Sequence, residues 1–217
     1  MNLYLDIETI PDQRPGALER AEANIKPPSS YKKPESIERY RKDNAEAQLK
    51  RTALQGIAGE VCSIAWAFDD GPIKAVTRDR SLSEASILQT FFANVADEMD
   101  GRGQYPRITW VGHNVIEFDL RFLKQRSLIC NVRPAVFIPA DARHGKTVFD
   151  TMKEWAGWKG YVKLDALCDA FGLPGKTDVD GSMVGDLWDA GEYEKIRQYN
   201  IDDVERVRNV YNRMTWQ

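Results

Sequence analysis

The sequence predicts one α/β domain in which a mixed central sheet carries flanking helices. Strand-like runs come first as a hairpin and then alternate with helical runs, so antiparallel and parallel pairings must share one sheet. The 217 residues are 42% hydrophobic and 29% charged, the proportions of a chain with one ordinary core. A chain of that length buries roughly 70% of the surface its unfolded form exposes, so neither disulfides nor a structural metal are needed for folding.

The elements follow in order. Leu3 to Ile7 read as a short buried strand, apolar and aromatic except at Asp6, and Pro11 ends the run. Residues 11–58 differ in character: Pro27, Pro28, Ser29 and Ser30 precede a polar helical piece from Ser36 to Leu54, and the segment is read as an insertion. Core chemistry resumes at Glu60, with a strand from Val61 to Phe68, a turn through Asp69, Asp70, Gly71 and Pro72, and a second strand from Ile73 to Thr77. Ser81 and Glu84 have capping-box spacing ahead of Ile87, Leu88, Phe91, Phe92, Val95 and Met99, which share one helical face. A strand from Arg107 to Val111 leads through Gly112, His113 and Asn114 into a helix from Phe118 to Ser127. Ala135 to Ile138 is a candidate strand, Val162 to Phe171 a candidate helix stopped by Gly172 and Pro174, and Gly175 to Ser182 an exposed loop. Glu192 to Met214, free of proline and apolar at Ile196, Ile201, Val204, Val207, Val210 and Tyr211, is the longest helix.

Several functional classes fall away. No apolar run approaches the ~20 residues of a membrane span and the first residues lack a basic signal-peptide region, so a cytoplasmic location with no membrane partner is expected. Cys62, Cys130 and Cys168 form no Cys-x-x-Cys pair, which argues against a disulfide framework or a zinc finger. A formal charge of -3 excludes a polycation that grips nucleic acid by bulk charge alone.

Carboxylates supply the positive signal. Asp6 and Glu8 lie two apart on a strand and so share a side, Asp119 opens a helix beyond a strand end, and Asp203 stands four residues after Tyr199 on one helical face. If they converge, the anionic pocket needs divalent cations, and carboxylate oxygens are the donors that hard ions such as Mg²⁺ and Mn²⁺ prefer. Two ions ~4 Å apart can clamp a phosphodiester, one generating hydroxide and the other stabilising the leaving oxygen.

The segments Asp6-Ile7-Glu8-Thr9, Asn114 to Asp119 and Tyr199 to Asp203 resemble, in order, the three motifs of the DEDD superfamily of 3′-5′ exonucleases, which has an RNase H-like fold. The likeness is to its tyrosine-bearing branch, and within it to the proofreading domain of family B DNA polymerases and the stand-alone predicted exonucleases related to it. Gln198 occupies the place where the histidine-bearing branch has its histidine, and neither His113 nor His144 lies near the last motif. The resemblance implies that Asp6, Glu8, Asp119 and Asp203 hold two Mg²⁺ or Mn²⁺ ions. It also implies that Tyr199 orients the attacking water, and that the product is a nucleoside 5′-monophosphate released from a 3′ end. By the same analogy Thr9 and Ile10 sit beside the terminal nucleotide, with His113, Asn114 and Phe118 near the substrate.

Each motif has a plainer explanation when taken alone. Asp-x-Glu occurs by chance, and Tyr199 could be an ordinary helix-face aromatic; three motifs in order reverse that preference. Asp202 is turned ~100° from Asp203 and reads as a surface charge, and Glu117 as a bystander. Phe118 suits the core as well as a substrate contact, and either His113 or Asn114 could cap the helix that follows. Gly172 to Thr177 contains Gly-Lys-Thr, but Ala170 stands where a phosphate-binding loop needs its first glycine, so no nucleotide cofactor is expected and Lys176 remains a candidate for a substrate phosphate. The insertion mixes Lys and Arg with Tyr31 and Tyr40, but interleaved glutamates favour a solvated helix, and Trp155 and Trp158 are read as core or loop packing.

The leading expectation is a metal-dependent 3′-5′ exonuclease on single-stranded DNA ends, working alone or with replication, repair or recombination proteins in a bacterial or phage setting. An exoribonuclease of the tyrosine-bearing class and a catalytically silent nucleic-acid-binding module are the alternatives.

Overall fold

A computed structural model describes residues 1–101, 107–145, 147–175 and 179–217. Among these residues, five strands and eight α-helices follow in the order β1 (Asn2–Ile10), α1 (Ala17–Ala23), α2 (Pro34–Arg51), β2 (Glu60–Phe68), β3 (Lys74–Thr77), α3 (Glu84–Gly101), β4 (Thr109–Gly112), α4 (Asp119–Ile129), β5 (Val148–Asp150), α5 (Thr151–Ala156), α6 (Leu164–Phe171), α7 (Val184–Asp189) and α8 (Tyr193–Thr215). They form one mixed sheet of order β3-β2-β1-β4-β5. β1 pairs antiparallel with β2 and parallel with β4, β2 pairs antiparallel with β3, and β4 parallel with β5.

Alternation along β1 sorts the two sides. Leu3, Leu5 and Ile7 join the main core with Ile87, Leu88, Phe91 and Phe92 of α3 and Leu120 and Leu123 of α4. Tyr4, on the opposite face, packs with Val204, Val207 and Tyr211 of α8, edge-on to Tyr211 at 5.5 Å between ring centroids. The even-numbered positions of β1 therefore look toward α8, and these include Asp6 and Glu8.

The expected hairpin and long terminal helix are present. The candidate strand at Ala135 to Ile138 is not: Pro134 and Pro139 bracket it, Phe137 is 84% exposed, and Val148–Asp150 occupies the sheet edge beside β4. The capping box is also replaced. Ser81 Oγ donates to Asp79 at 2.6 Å, while Ser83 Oγ accepts the Ser86 amide at the start of α3. Glu84 is buried instead, accepting from the Val61 amide at 2.7 Å and from both Nε and Nη2 of Arg126 at 2.9 and 2.6 Å. It ties β2, α3 and α4 together.

Residues 11–58 contain a helical pair, α1 and α2, of which only α2 is apparent from pattern because α1 has seven residues. Pro34 begins α2 at a position where its missing N–H costs nothing. Tyr31 and Tyr40 pack on each other at 5.1 Å. The pair is fastened beside the sheet by Thr9 Oγ1, which donates to the Ala53 carbonyl at 2.7 Å, and by the Asp12 amide, which donates to Thr52 Oγ1 at 2.9 Å.

Candidate active site

β4 stops pairing with β1 at Tyr4, and the two chains then diverge. Gly112 lies at the fork, where a Cβ would stand 2.6 Å from that of Val115 and 3.1 Å from the Leu5 carbonyl, so only glycine lets the chain turn away here. The edge of β1 beyond the fork keeps its polar groups, and Asp119 fills the gap: its Oδ1 accepts the Ile7 amide at 3.1 Å. A carboxylate thus takes the place of a strand carbonyl at the carboxyl end of two parallel strands, the usual position of a site in such sheets.

On the α8 face of β1, oxygens of Asp6, Glu8 and Asp203 come within 4.8 Å of one another. Three hard donors at that spacing suit a divalent ion of the Mg²⁺ or Mn²⁺ type. Glu8, Asp119 and Asp203 are buried and Asp6 partly so. Burial, then the charges of Glu8 and Asp119, hold the Asp6 carboxyl well above the ordinary carboxylate range. Burial also pushes the Asp119 carboxyl up to about 7, against the hydrogen bonds from its own amide and that of Ile7. Such opposition is what a cation relieves. A bulge between Glu8 and Thr9 shifts the β1 and β2 register immediately after the two acids.

Tyr199 stands one turn before Asp203 in α8, 7% exposed. Burial, then Glu8 and Asp6, raise its hydroxyl far above its usual value, so the phenol stays protonated. A Cβ on Gly181 would be 3.7 Å from that hydroxyl, which places the 180–182 turn beside it.

The remaining expected positions separate. Thr9 is committed to the Ala53 carbonyl. Ile10 has no exposed surface and packs with Cys62, Val184, Trp188, Ile196 and Tyr199, so its side chain forms the wall behind the tyrosine. Both ring nitrogens of His113 are engaged, Nε2 donating to the Val162 carbonyl and Nδ1 facing Thr151 Oγ1, each at 2.9 Å; burial lowers its pKa and keeps it neutral. His113 therefore acts as a bracket. Asn114 adopts a left-handed backbone, φ 61, and its carbonyl accepts the Phe118 amide. Phe118 is half-buried and leans on Phe122 at 5.3 Å. Glu117 is exposed beside Arg121, and Asp202 accepts from Gln198, both away from the cluster. Lys176 lies outside the described residues.

Three supporting residues escape sequence reasoning. Asn200 is fully buried, donates to Asp6 Oδ2 at 2.6 Å and accepts from Ser63 Oγ at 2.8 Å, fixing the carboxylate from behind. Its adjacency to Tyr199 in the third motif was the available signal. Arg206, buried one turn after Asp203, pairs with Asp203 and with Asp165 of α6. Asp150 caps α5, and its two oxygens also accept the amides of Asn114 and Ile116 at 3.0 and 3.2 Å, shaping the loop that delivers Asp119.

Residues 49–216 match the family described as "Predicted 3'-5' exonuclease related to the exonuclease domain of PolB". The chain belongs to that family. The family match begins after Asp6 and Glu8, and it is the fold that brings these two to Asp203. The fold is similar to that of the family B DNA polymerase from the hyperthermophilic archaeon Pyrobaculum calidifontis, with a TM-score of 0.59 and 16% identity over 99% of this chain and 24% of that one. The chain thus spans about a quarter of that polymerase, and the likeness is one of RNase H-like architecture. No curated protein matches the sequence. Among the described residues, no helix is long and apolar enough to cross a membrane.

Proposed function

We propose that this exonuclease is metal-dependent and shortens single-stranded DNA from the 3′ end, releasing nucleoside 5′-monophosphates. The observation that carries the reading is the meeting of Asp6, Glu8 and Asp203 within 4.8 Å, with Asp119 one backbone amide away. These four carboxylates are the ligands for two divalent ions, which when bound supply a hydroxide nucleophile at neutral pH and charge at the leaving oxygen. Asn200 and the Ile7 amide hold Asp6 and Asp119 in place. Tyr199, kept protonated by its buried anionic setting, orients the attacking water through its hydroxyl and does not take a proton. The family's relation to a DNA polymerase domain favours DNA over RNA.

The test uses 5′-labelled single-stranded DNA and RNA of matched sequence with Mg²⁺, Mn²⁺ or EDTA, alongside Asp6→Ala and Asp203→Ala. The expected result is a metal-dependent ladder shortening from the 3′ end of DNA, absent in both variants. Failure of the folded wild-type protein to cleave either polymer would remove the reading.

A further inference from the structure

Trp155 and Trp158 are not core: they are 54% and 55% exposed, and Tyr161, three residues on, is 73% exposed. Large aromatics left in water on a disordered tail mean little, but this segment is tightly built. Lys153 Nζ donates to the Trp158 carbonyl at 3.0 Å and lies 5.6 Å from the centre of the Trp158 ring. The Gly157 amide donates to the Lys153 carbonyl at 3.0 Å and the Gly160 amide to the Gly157 carbonyl at 3.2 Å. Gly157 has φ +74, and a Cβ on Gly160 would stand 2.0 Å from the Ala156 carbonyl, so two glycines are needed for the loop to close. The His113 ring clamps its far end at Val162. Rings and cations are interspersed along it: Lys153, Trp155, Trp158, Lys159, Tyr161, Lys163.

The loop borders the carboxylate cluster. His113, which holds Val162, precedes Asn114 in the loop that delivers Asp119. Two residues beyond Lys163, Asp165 pairs with Arg206, whose guanidinium also binds Asp203. Fixed rings beside lysines offer stacking and phosphate pairing together, the two terms that hold single-stranded nucleic acid.

We propose that the 153–163 loop is a track for the single strand upstream of its 3′ end, with bases stacking on Trp158 and Tyr161 and Lys159 and Lys163 pairing with phosphates. The proposal rests on the nuclease reading, and the experiment separates the two. Steady-state kinetics are measured on a twelve-residue oligothymidylate and on the p-nitrophenyl ester of thymidine 5′-monophosphate, which is too short to leave the carboxylate site. The double variant Trp158→Ala/Tyr161→Ala should raise KM for the oligomer by about ten-fold or more, leave its kcat unchanged and leave ester hydrolysis at the wild-type rate. Trp158→Phe, which keeps a ring, should stay near wild type. Lys159→Ala/Lys163→Ala should lower the salt dependence of oligomer binding by about 0.7 in slope for each charge removed. An unchanged oligomer KM in the aromatic double variant overturns the track while leaving the nuclease reading intact. Should the wild type hydrolyse neither compound, the nuclease reading fails, and anisotropy of the labelled oligomer then decides: binding lost in the double variant upholds the track, whereas equal binding or none overturns it.

Discussion

Replacing Asp119 by Asn should flatten the pH dependence of the metal-free protein's stability. The folded carboxyl is 3% exposed and burial pushes its pKa from 3.8 up to about 7. Over that window the folded state keeps a proton that the unfolded chain has released. The group's contribution is therefore complete below the unfolded value and lost as pH rises through the folded one. One pH unit is worth about 1.4 kcal/mol, so the full swing is about 4 kcal/mol and more than half of it falls between about pH 5 and pH 7. Asp6, raised by burial and by Glu8 and Asp119, adds in the same direction. His113 opposes, because its lowered pKa makes folding more favourable as the ring loses its proton, but it is common to both proteins and cancels in the comparison. The assay is urea unfolding followed by far-UV circular dichroism in EDTA at pH values from about 5 to 8. Relative to Asp119→Asn, the wild type should lose about 2 kcal/mol or more across that range, and millimolar Mg²⁺ should restore it at the alkaline end. Curves for the two proteins that run parallel within about 0.5 kcal/mol would refute the assignment of Asp119 as a buried, cation-seeking acid.

Three further outcomes follow from other contacts. Asn200→Leu should leave the fold intact and weaken Mn²⁺ affinity by about ten- to a hundred-fold in calorimetric titration, since Asp6 loses the amide that orients it. Glu84→Gln should destabilise the protein by about 3–5 kcal/mol in denaturant unfolding, because Arg126 would keep a buried charge with no anion beside it. Gly112→Ala should lower stability by about 1–3 kcal/mol and reduce nuclease activity further than stability alone explains, as the new methyl group meets Val115 and the Leu5 carbonyl at the fork that admits Asp119.

Asp6, Glu8 and Asp203 were legible in the sequence because each breaks a rule where it stands: acids in an apolar strand, or on the inward face of a long amphipathic helix, are expensive unless something uses them, whereas Asp119 opens a helix as many acids do and was picked out by its motif. What carries them was harder to see. Asp150 closes a strand of only three residues, too short for its alternation to register, and its work is done through backbone amides that any sequence supplies. Ala135 to Ile138 has the residue types of a strand, but the prolines on either side remove the donors a ladder needs. Of the two readings open for Trp155 and Trp158, core or loop packing, the structure takes the second: Trp155 leans on Phe171 and Trp158 on Lys153, both half-exposed where the glycines at 157 and 160 turn the loop out. Ile10 was legible only as a motif neighbour, and its burial in the wall behind Tyr199 comes from α7 and α8, which no local pattern shows.

The β1 and β2 strands have one more consequence. Ile10 sits opposite Glu60, so the chain leaves the sheet and re-enters it on the same rung, whatever it does in between. Doubling the length of such an excursion costs only about 0.6 kcal/mol in closure entropy. Slipping the ladder by one residue, in contrast, would turn Asp6 and Glu8 to the opposite face. The fold thus has a port between residues 10 and 60, where evolution can lengthen, shorten or exchange an appendage while the chemistry next to it stays in register.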